Sequence, residues 1–385
     1  MGAEPEHLGP EMEPFGWYRT MRESTPVLHT DRGAWSTGGV WMAFRHTDVQ
    51  RVLSDHDAFS SEYGNLGLIN TDPPRHRQLR NLVTLAFTPR SVESLRARIT
   101  EIVGDLLDGV AEAGGMDLID EFAVPLPVTV IAELLGIPVS DRERFKLWSD
   151  AIVTGGGDRM SHSQAMIEMG AYFTDLLEER RRHPRADLVS ELLAARIDGE
   201  SLSQQDLLSF CVLLLIAGNE TTTNLIGNAI ICLDTHPEAL EELRADPALL
   251  PTAIEEVLRF RSPVQSMFRM TKVEVELGGE RIPPGSQVVA WIGSANRDPL
   301  QFPDPDRFDV RRSPNRHLAF GHGIHFCLGA PLARLEGLVA LDALLRRLPG
   351  LAVDRSHRLH RLESNIVYGV RSLPVTFEPH PAVSA

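Results

Sequence analysis

Apolar positions recur every three to four residues along most of the chain. The pattern predicts helices over 46–54, 76–86, 91–113, 119–135, 141–153, 163–183, 187–197, 204–235, 251–261 and 331–348. Pro73-Pro74, Gly114-Gly115 and Gly155-Gly156-Gly157 punctuate them, and Pro237, Pro247 and Pro251 mark short helices leading into 251–261. The period drops to two in a few places only. Residues 26–44 alternate around Gly38-Gly39 as a small hairpin, and 265–292 predict strands turned at Gly278-Gly279 and Pro283-Pro284-Gly285. A short β region follows the last helix and runs to Pro379. With no internal repeat, low-complexity segment or linker, residues 1–385 read as a single domain, a large mainly α bundle with small β-sheets.

The 204–235 segment is too long and too apolar for a surface helix and reads as one that crosses the core. In its middle stands Ala217-Gly218-Asn219-Glu220-Thr221-Thr222-Thr223. A glycine costs about 1 kcal/mol inside a helix, and the threonines add crowding and competing hydroxyls. Local propensity therefore fails where the surroundings are most apolar, a frequent mark of a functional site.

Composition narrows the class. The chain is 43% hydrophobic and 24% charged, as expected of a globular protein able to bury a large core. A net charge of −15 argues against nucleic acid or an anionic membrane as main partner. Met1 to Gly16 is acidic and short of apolar residues, unlike a signal peptide, and the apolar run Leu207 to Gly218 is too short to span a bilayer. These features predict a soluble cytoplasmic protein without a membrane anchor. Of three cysteines, Cys211 and Cys232 fall in the long apolar segment and read as core residues.

The third cysteine carries the chemistry. Phe320-Gly-His-Gly-Ile-His-Phe-Cys327-Leu-Gly329 places a thiol at the mouth of a glycine-rich loop, just before a helix that tolerates Pro331 in its first turn. Gly321, Gly323 and Gly329 allow positive φ or the close approach of a flat ligand. Free N–H groups and the dipole at the helix start favour a thiolate, which is a nucleophile, a redox centre or a metal ligand. A zinc site from His322, His325 and Cys327 lacks a nearby fourth ligand.

The loop resembles the haem-binding segment of the cytochrome P-450 haem-thiolate monooxygenases, Phe-x-x-Gly-x-x-x-Cys-x-Gly, at every fixed position, Phe320, Gly321 and Gly329 included. The resemblance implies the P-450 fold, haem b (iron protoporphyrin IX) as cofactor and Cys327 as proximal iron ligand, whose electron donation in that family favours O–O cleavage. The long segment is similar to the family's distal motif, Ala/Gly-Gly-x-Asp/Glu-Thr, where the helix unwinds locally over the iron. Glu220 and Thr221 then inherit the acid and threonine that manage protons. His76 and Arg80 in Asp72-Pro-Pro-Arg-His76-Arg-Gln-Leu-Arg80, with Arg269 and His325, match the partners of the haem propionates. Glu256 and Arg259, with Arg307 in Asp304-Pro-Asp-Arg-Phe308, match a structural ion trio.

As a soluble bacterial member, the chain is expected to insert one atom of dioxygen into a lipophilic small molecule by C–H hydroxylation or epoxidation. No nucleotide-binding glycine motif is visible, so electrons are expected from a separate ferredoxin or flavodoxin and its reductase. Arg311, Arg312 and Arg316 are candidate contacts for such a partner. Leu66, Leu68, Ile69, Leu214, Ala217, Gly218, Val264, Gln265, Ile366 and Val367 are the expected pocket, aliphatic enough for a fatty acid, terpenoid, steroid or macrolide. Gly155-Gly156-Gly157 is a candidate hinge. A peroxide-driven peroxygenase and a non-catalytic haem sensor are the alternatives.

Overall fold

A computed structural model describes residues 13–31, 39–64, 67–84, 87–153, 156–157, 160–197 and 200–381. The chain divides into two compact units, each built from separated stretches of sequence. The first takes residues 1–63, 228–327 and 358–371; the second takes 64–227, 328–357 and 372–385.

The first unit is organised on a five-stranded sheet in the order Val27–Thr30, Val40–Ala43, Gln287–Trp291, Ser266–Thr271, Phe59–Ser60. Its central pair is parallel, with Gln287 opposite Val40, and every other pairing is antiparallel. Gln287–Trp291 is buried at all five positions, as a strand covered on both faces must be. One face packs Val49, Val52 and Leu53 of helix His46–Ser54 with Ile282, Val288 and Leu318. The other packs Phe15, Tyr18 and Met21 of helix Phe15–Ser24 with Phe44, Val289, Trp291 and Tyr368. That first helix has apolar residues at three-residue spacing, a signal too short to stand out in the sequence pattern.

The second unit is mostly helical. Its principal helices are Arg75–Thr84, Arg96–Asp108, Pro125–Leu134, Arg142–Val153, His162–Arg182, most of Gln204–Thr235, and Ala330–Arg347. A three-stranded sheet joins Ala352–Val353, Pro374–Thr376 and Gly115–Asp117. The helix expected over 119–135 divides into a π-helical turn, Ile119–Ala123, and Pro125–Leu134, because Pro125 lacks the N–H that would continue a single ladder. Likewise 91–113 becomes Pro89–Glu93 and Arg96–Asp108. Gly155 lies outside the described residues, and Gly156–Gly157 pairs with Met160–Ser161 as a two-strand ladder.

By length and composition Gln204–Thr235 is apolar enough to cross a membrane, but 67% of its most apolar window is buried inside the protein, as in a core helix. It is continuous over its 32 residues. The local unwinding expected at 217–223 is therefore absent. The threonine hydroxyls find partners without breaking the backbone ladder: Thr221 donates to the Ala217 carbonyl at 2.8 Å, and Thr223 to the Ala123 carbonyl at 3.0 Å.

Candidate haem-thiolate site

In the first unit the cysteine loop is held from within. The Cys327 N–H donates to the Phe320 carbonyl at 2.8 Å, Gly321 to Leu318 at 2.8 Å, and Phe326 to Gly323 at 3.1 Å, closing a 3-10 turn over Gly323–His325. Gly321 and Gly323 both have φ of 73°, where a side chain is strained. At Gly323 space also forbids one, since a Cβ would lie 2.8 Å from the Ser54 Cα. At Gly329 the reverse holds, and a Cβ would meet nothing within 4 Å. Cys327 itself is half-buried, whereas Phe326 is 40% exposed, a large apolar ring left at the surface beside the thiol.

Arg269 is buried on strand Ser266–Thr271, where Nη1 donates to the Phe268 carbonyl at 2.7 Å. His325 is half-buried in the loop. Val264 bridges Val367, and Ile366 beside them is 38% exposed. Gln265 departs from the expected pocket. Its side chain accepts from the Tyr18 hydroxyl at 2.8 Å and donates to the Ser262 carbonyl at 2.7 Å, so it is a buried strut of the first unit.

The ion trio also needs correction. Arg259 grips Glu256 with two bonds, 2.7 and 2.8 Å, both side chains fully buried. The third cation is Arg312, whose Nε lies 3.1 Å from each Glu256 oxygen. Arg307 is exposed and contributes its carbonyl, which accepts from Arg259 and Arg312 at 3.1 Å. Asn315 and the Asp309 N–H complete the carboxylate's shell, satisfying a buried charge that would otherwise be costly. Sequence reasoning missed Asn315 and placed Arg312 at the surface. With Arg312 spent here and Arg311 paired with Glu242, the arginine cluster offered to a redox partner shrinks to Arg316 and a paired Arg311.

In the second unit His76 is buried and Arg80 half-buried on helix Arg75–Thr84, one turn apart on one face. Preceding them, the 3-10 turn Gly67–Asn70 brings buried Leu68 and half-buried Ile69; Leu66 lies outside the described residues. Arg75 pairs with Asp206 at the start of the long helix, and a Cβ at Gly67 would come within 2.9 Å of the Ser209 Cβ. On that helix Leu214 and Gly218 are half-buried but Ala217 is exposed, an opening in an otherwise packed stretch. A Cβ at Gly218 would sit 3.0 Å from Ile131. Glu220 accepts from the Asn224 amide at 3.0 Å, a partner one turn on that sequence reasoning also missed.

Among the described residues no group of three His, Cys, Asp or Glu is placed to hold a metal ion, so the zinc alternative from His322, His325 and Cys327 is not assembled. Cys211 and Cys232 are fully buried, and burial pushes both thiols up to about 12. They are inert core residues. What remains in the first unit is one half-buried cysteine on a constrained loop, with exposed apolar Phe326 beside it and exposed Ile366 on the same unit. These fit a flat, apolar, iron-bearing group held by a single thiolate.

Such a loop and such a fold define a haem-thiolate protein. Residues 139–367 match the family model for cytochrome P450. Curated relatives include a putative cytochrome P450, YjiB, of Bacillus subtilis, 42% identical and covering 94% of this chain and 93% of its own. Another is the erythromycin C-12 hydroxylase of Saccharopolyspora erythraea, 42% identical over 96% of both. Among solved structures, CYP109E1 of Bacillus megaterium in complex with testosterone superposes with a TM-score of 0.89 at 41% identity, covering 95% of this chain and 98% of that one. The chain belongs to the cytochrome P450 family. It is a haem b monooxygenase with the mainly α fold of that family.

Proposed function

We propose that this enzyme hydroxylates lipophilic molecules of roughly steroid to macrolide size, drawing electrons from a separate ferredoxin or flavodoxin. Cys327 would hold the haem iron through its thiolate, with Phe320, Gly321 and Gly329 shaping its loop, and His76, Arg80, Arg269 and His325 would hold the two propionates. Bound haem supplies the redox chemistry that activates dioxygen. The chain's own residues do the rest. Cationic and N–H donors offset the carboxylates that haem carries into an apolar site. Leu68, Ile69, Leu214 and Ala217 in the second unit, and Val264, Ile366 and Val367 in the first, each offer the substrate an uncharged surface that would keep bulk water out. Glu220, held by Asn224, stores a proton-accepting oxygen next to Thr221, and the pair passes protons one at a time.

The observation that carries this reading is the second unit's juxtaposition of exposed Ala217 with Thr221 and Glu220 on one continuous helix. It leaves a small side chain facing out beside an acid and a hydroxyl within one turn. Relatives support the size class, since CYP109E1 is solved with testosterone and corticosterone, and P450BioI with a hexadecenoic acid on acyl carrier protein.

Two measurements test it. A library of steroids, macrolides and fatty acids is titrated into the haem-loaded protein, and absorbance shifts from low to high spin identify the class. Thr221→Ala is expected to keep reduction intact while sending most of the consumed oxygen to hydrogen peroxide. Full coupling in that variant would sink the proton-delivery assignment, and turnover with peroxide alone at undiminished rate would favour a peroxygenase.

A further inference from the structure

A groove in the second unit shares no residue with those assigned above to haem or substrate. Its walls come from the helices Pro89–Glu93, Arg96–Asp108, Pro125–Leu134 and Leu188–Ala194, and it holds about 550 Å³. Pockets that take small molecules span roughly 300–1,000 Å³. The walls are largely aliphatic. Leu95, Ile99 and Ile102 recur at helical spacing on one of them, Val130 and Leu134 on another, and Leu188 joins from a third.

The polar groups along it are spent unequally. Arg98 gives Nε and Nη2 to Glu133, at 2.9 and 2.8 Å, and Nη1 to Glu101 at 2.6 Å. The Ser94 hydroxyl donates to the Ser91 carbonyl at 2.6 Å. Buried Asp187 caps Leu188–Ala194 by accepting from the Ser190 N–H at 2.8 Å, and its other oxygen pairs with Arg180. Glu191 differs from all of these. It is exposed, and no hydrogen bond or ion pair engages its side chain among the described residues. Four carboxylates, Glu101, Glu133, Asp187 and Glu191, thus stand against two cations, Arg98 and Arg180. The groove is acidic as well as aliphatic, and the acid with a free hand lies at its edge.

The walls are also held in place without a ligand. Arg180, on the helix His162–Arg182, donates through Nη2 to the Gly136 carbonyl at 2.6 Å, just past the end of Pro125–Leu134. Gly136 has φ of 70°, and a Cβ there would collide with Asp187. One buried guanidinium therefore fastens two of the four walls to a third helix, so an occupant would not have to order them.

We propose that this groove binds a lipophilic amine, its carbon body against the aliphatic walls and its protonated nitrogen on Glu191. A cation gains from the excess of carboxylates, whereas an anion meets acceptors and an arginine already committed. The proposal is independent of how haem and substrate are held.

The test uses haem-loaded protein whose iron is saturated with 4-phenylimidazole, so that the substrate side is occupied. Calorimetry compares three compounds on one carbon cage: 1-adamantylamine, 1-adamantanol and 1-adamantanecarboxylate. One equivalent of the amine is expected to bind about tenfold more tightly than the alcohol, with the carboxylate weakest and the Soret band unmoved. Glu191→Gln is expected to weaken the amine severalfold and leave the alcohol unchanged. Ala186→Trp, which places a bulky ring at an exposed lining position, is expected to abolish binding of both. The amine should also raise the unfolding temperature of wild type and not that of Ala186→Trp, a readout independent of turnover. Alcohol or carboxylate binding as tightly as the amine overturns the proposal. So does the absence of amine binding at millimolar concentration, heat that appears only as the Soret band shifts, or an affinity unchanged in both variants.

Discussion

At the scale of single residues, chemistry in this protein is decided by what each polar group is spent on. Arg312 and Arg307 are five positions apart; the sequence put Arg307 in the ion trio and Arg312 at the surface, yet Arg312 is the buried ligand of Glu256 and Arg307 lends a carbonyl. Removing one partner of a buried ion pair costs about 3–5 kcal/mol, whereas an exposed side chain away from such features changes stability by about 0.5 kcal/mol or less. Denaturant titration is expected to show that gap between Arg312→Ala and Arg307→Ala. Equal losses would restore Arg307 to the trio. The motif Glu-x-x-Arg was legible because order along the chain singled it out; its third member was not, because local sequence cannot say which of two nearby arginines turns inward. Gln265 escaped for a related reason, since its bonds run to Tyr18 and Ser262 and the first lies 247 residues away. The cysteines give a simpler contrast. In haem-free protein at about pH 8, a thiol reagent is expected to label Cys327 alone, because the other two thiols are buried and protonated. Haem loading is expected to abolish that label, as mass spectrometry of the modified peptide would show.

At the scale of elements, strong periodicity gave accurate boundaries. His46–Ser54 and Gln204–Thr235 appear as the sequence pattern places them, and His162–Arg182 begins one residue early. The pattern failed where two short elements abut, as at Pro125, or where a helix is ten residues long and lies before any strong landmark, as at Phe15–Ser24. It also misjudged the threonine run, because propensity scales cannot include a hydroxyl that pairs with a carbonyl 100 residues away. The helix Ala330–Arg347 carries a pH dependence of its own. A carboxyl normally near 4.5 and raised to about 8 by burial binds more protons folded than unfolded. Its contribution is therefore fully present below about pH 4.5 and is lost as pH rises toward 8, by up to about 1.4 kcal/mol per unit. Glu336→Gln should match wild type in acid and gain over it steadily to pH 8, with a constant advantage beyond. A pH-independent difference in unfolding temperature would contradict a buried neutral acid.

At the scale of the whole molecule, composition and motif order were enough for the class and silent on the substrate. The aliphatic positions proposed for substrate contact, Leu214 and Ala217 among them, would reject charge without selecting one carbon skeleton. The two compact units, by contrast, could not have been read from the sequence, because the chain visits each of them three times. The last visit belongs to the second unit, where Pro374–Thr376 pairs with both Gly115–Asp117 and Ala352–Val353. Truncation after Ser372 is expected to lower the unfolding temperature and leave Gly115–Asp117 without its ladder, which hydrogen exchange at Met116 and Asp117 would report.

That arrangement also sets the order in which the protein becomes itself on the ribosome. Strand Val40–Ala43 emerges early and waits for Gln287–Trp291, some 247 residues later, while Gly115–Asp117 waits for the final dozen. At a synthesis rate of about 5–20 residues per second, edges stay unpaired for tens of seconds. Until then the nascent chain carries long helices and local strand pairs, while its five-stranded and three-stranded sheets wait for their distant partners. The cysteine loop is translated before either unit can close, so capture of haem is a late event in the life of the chain.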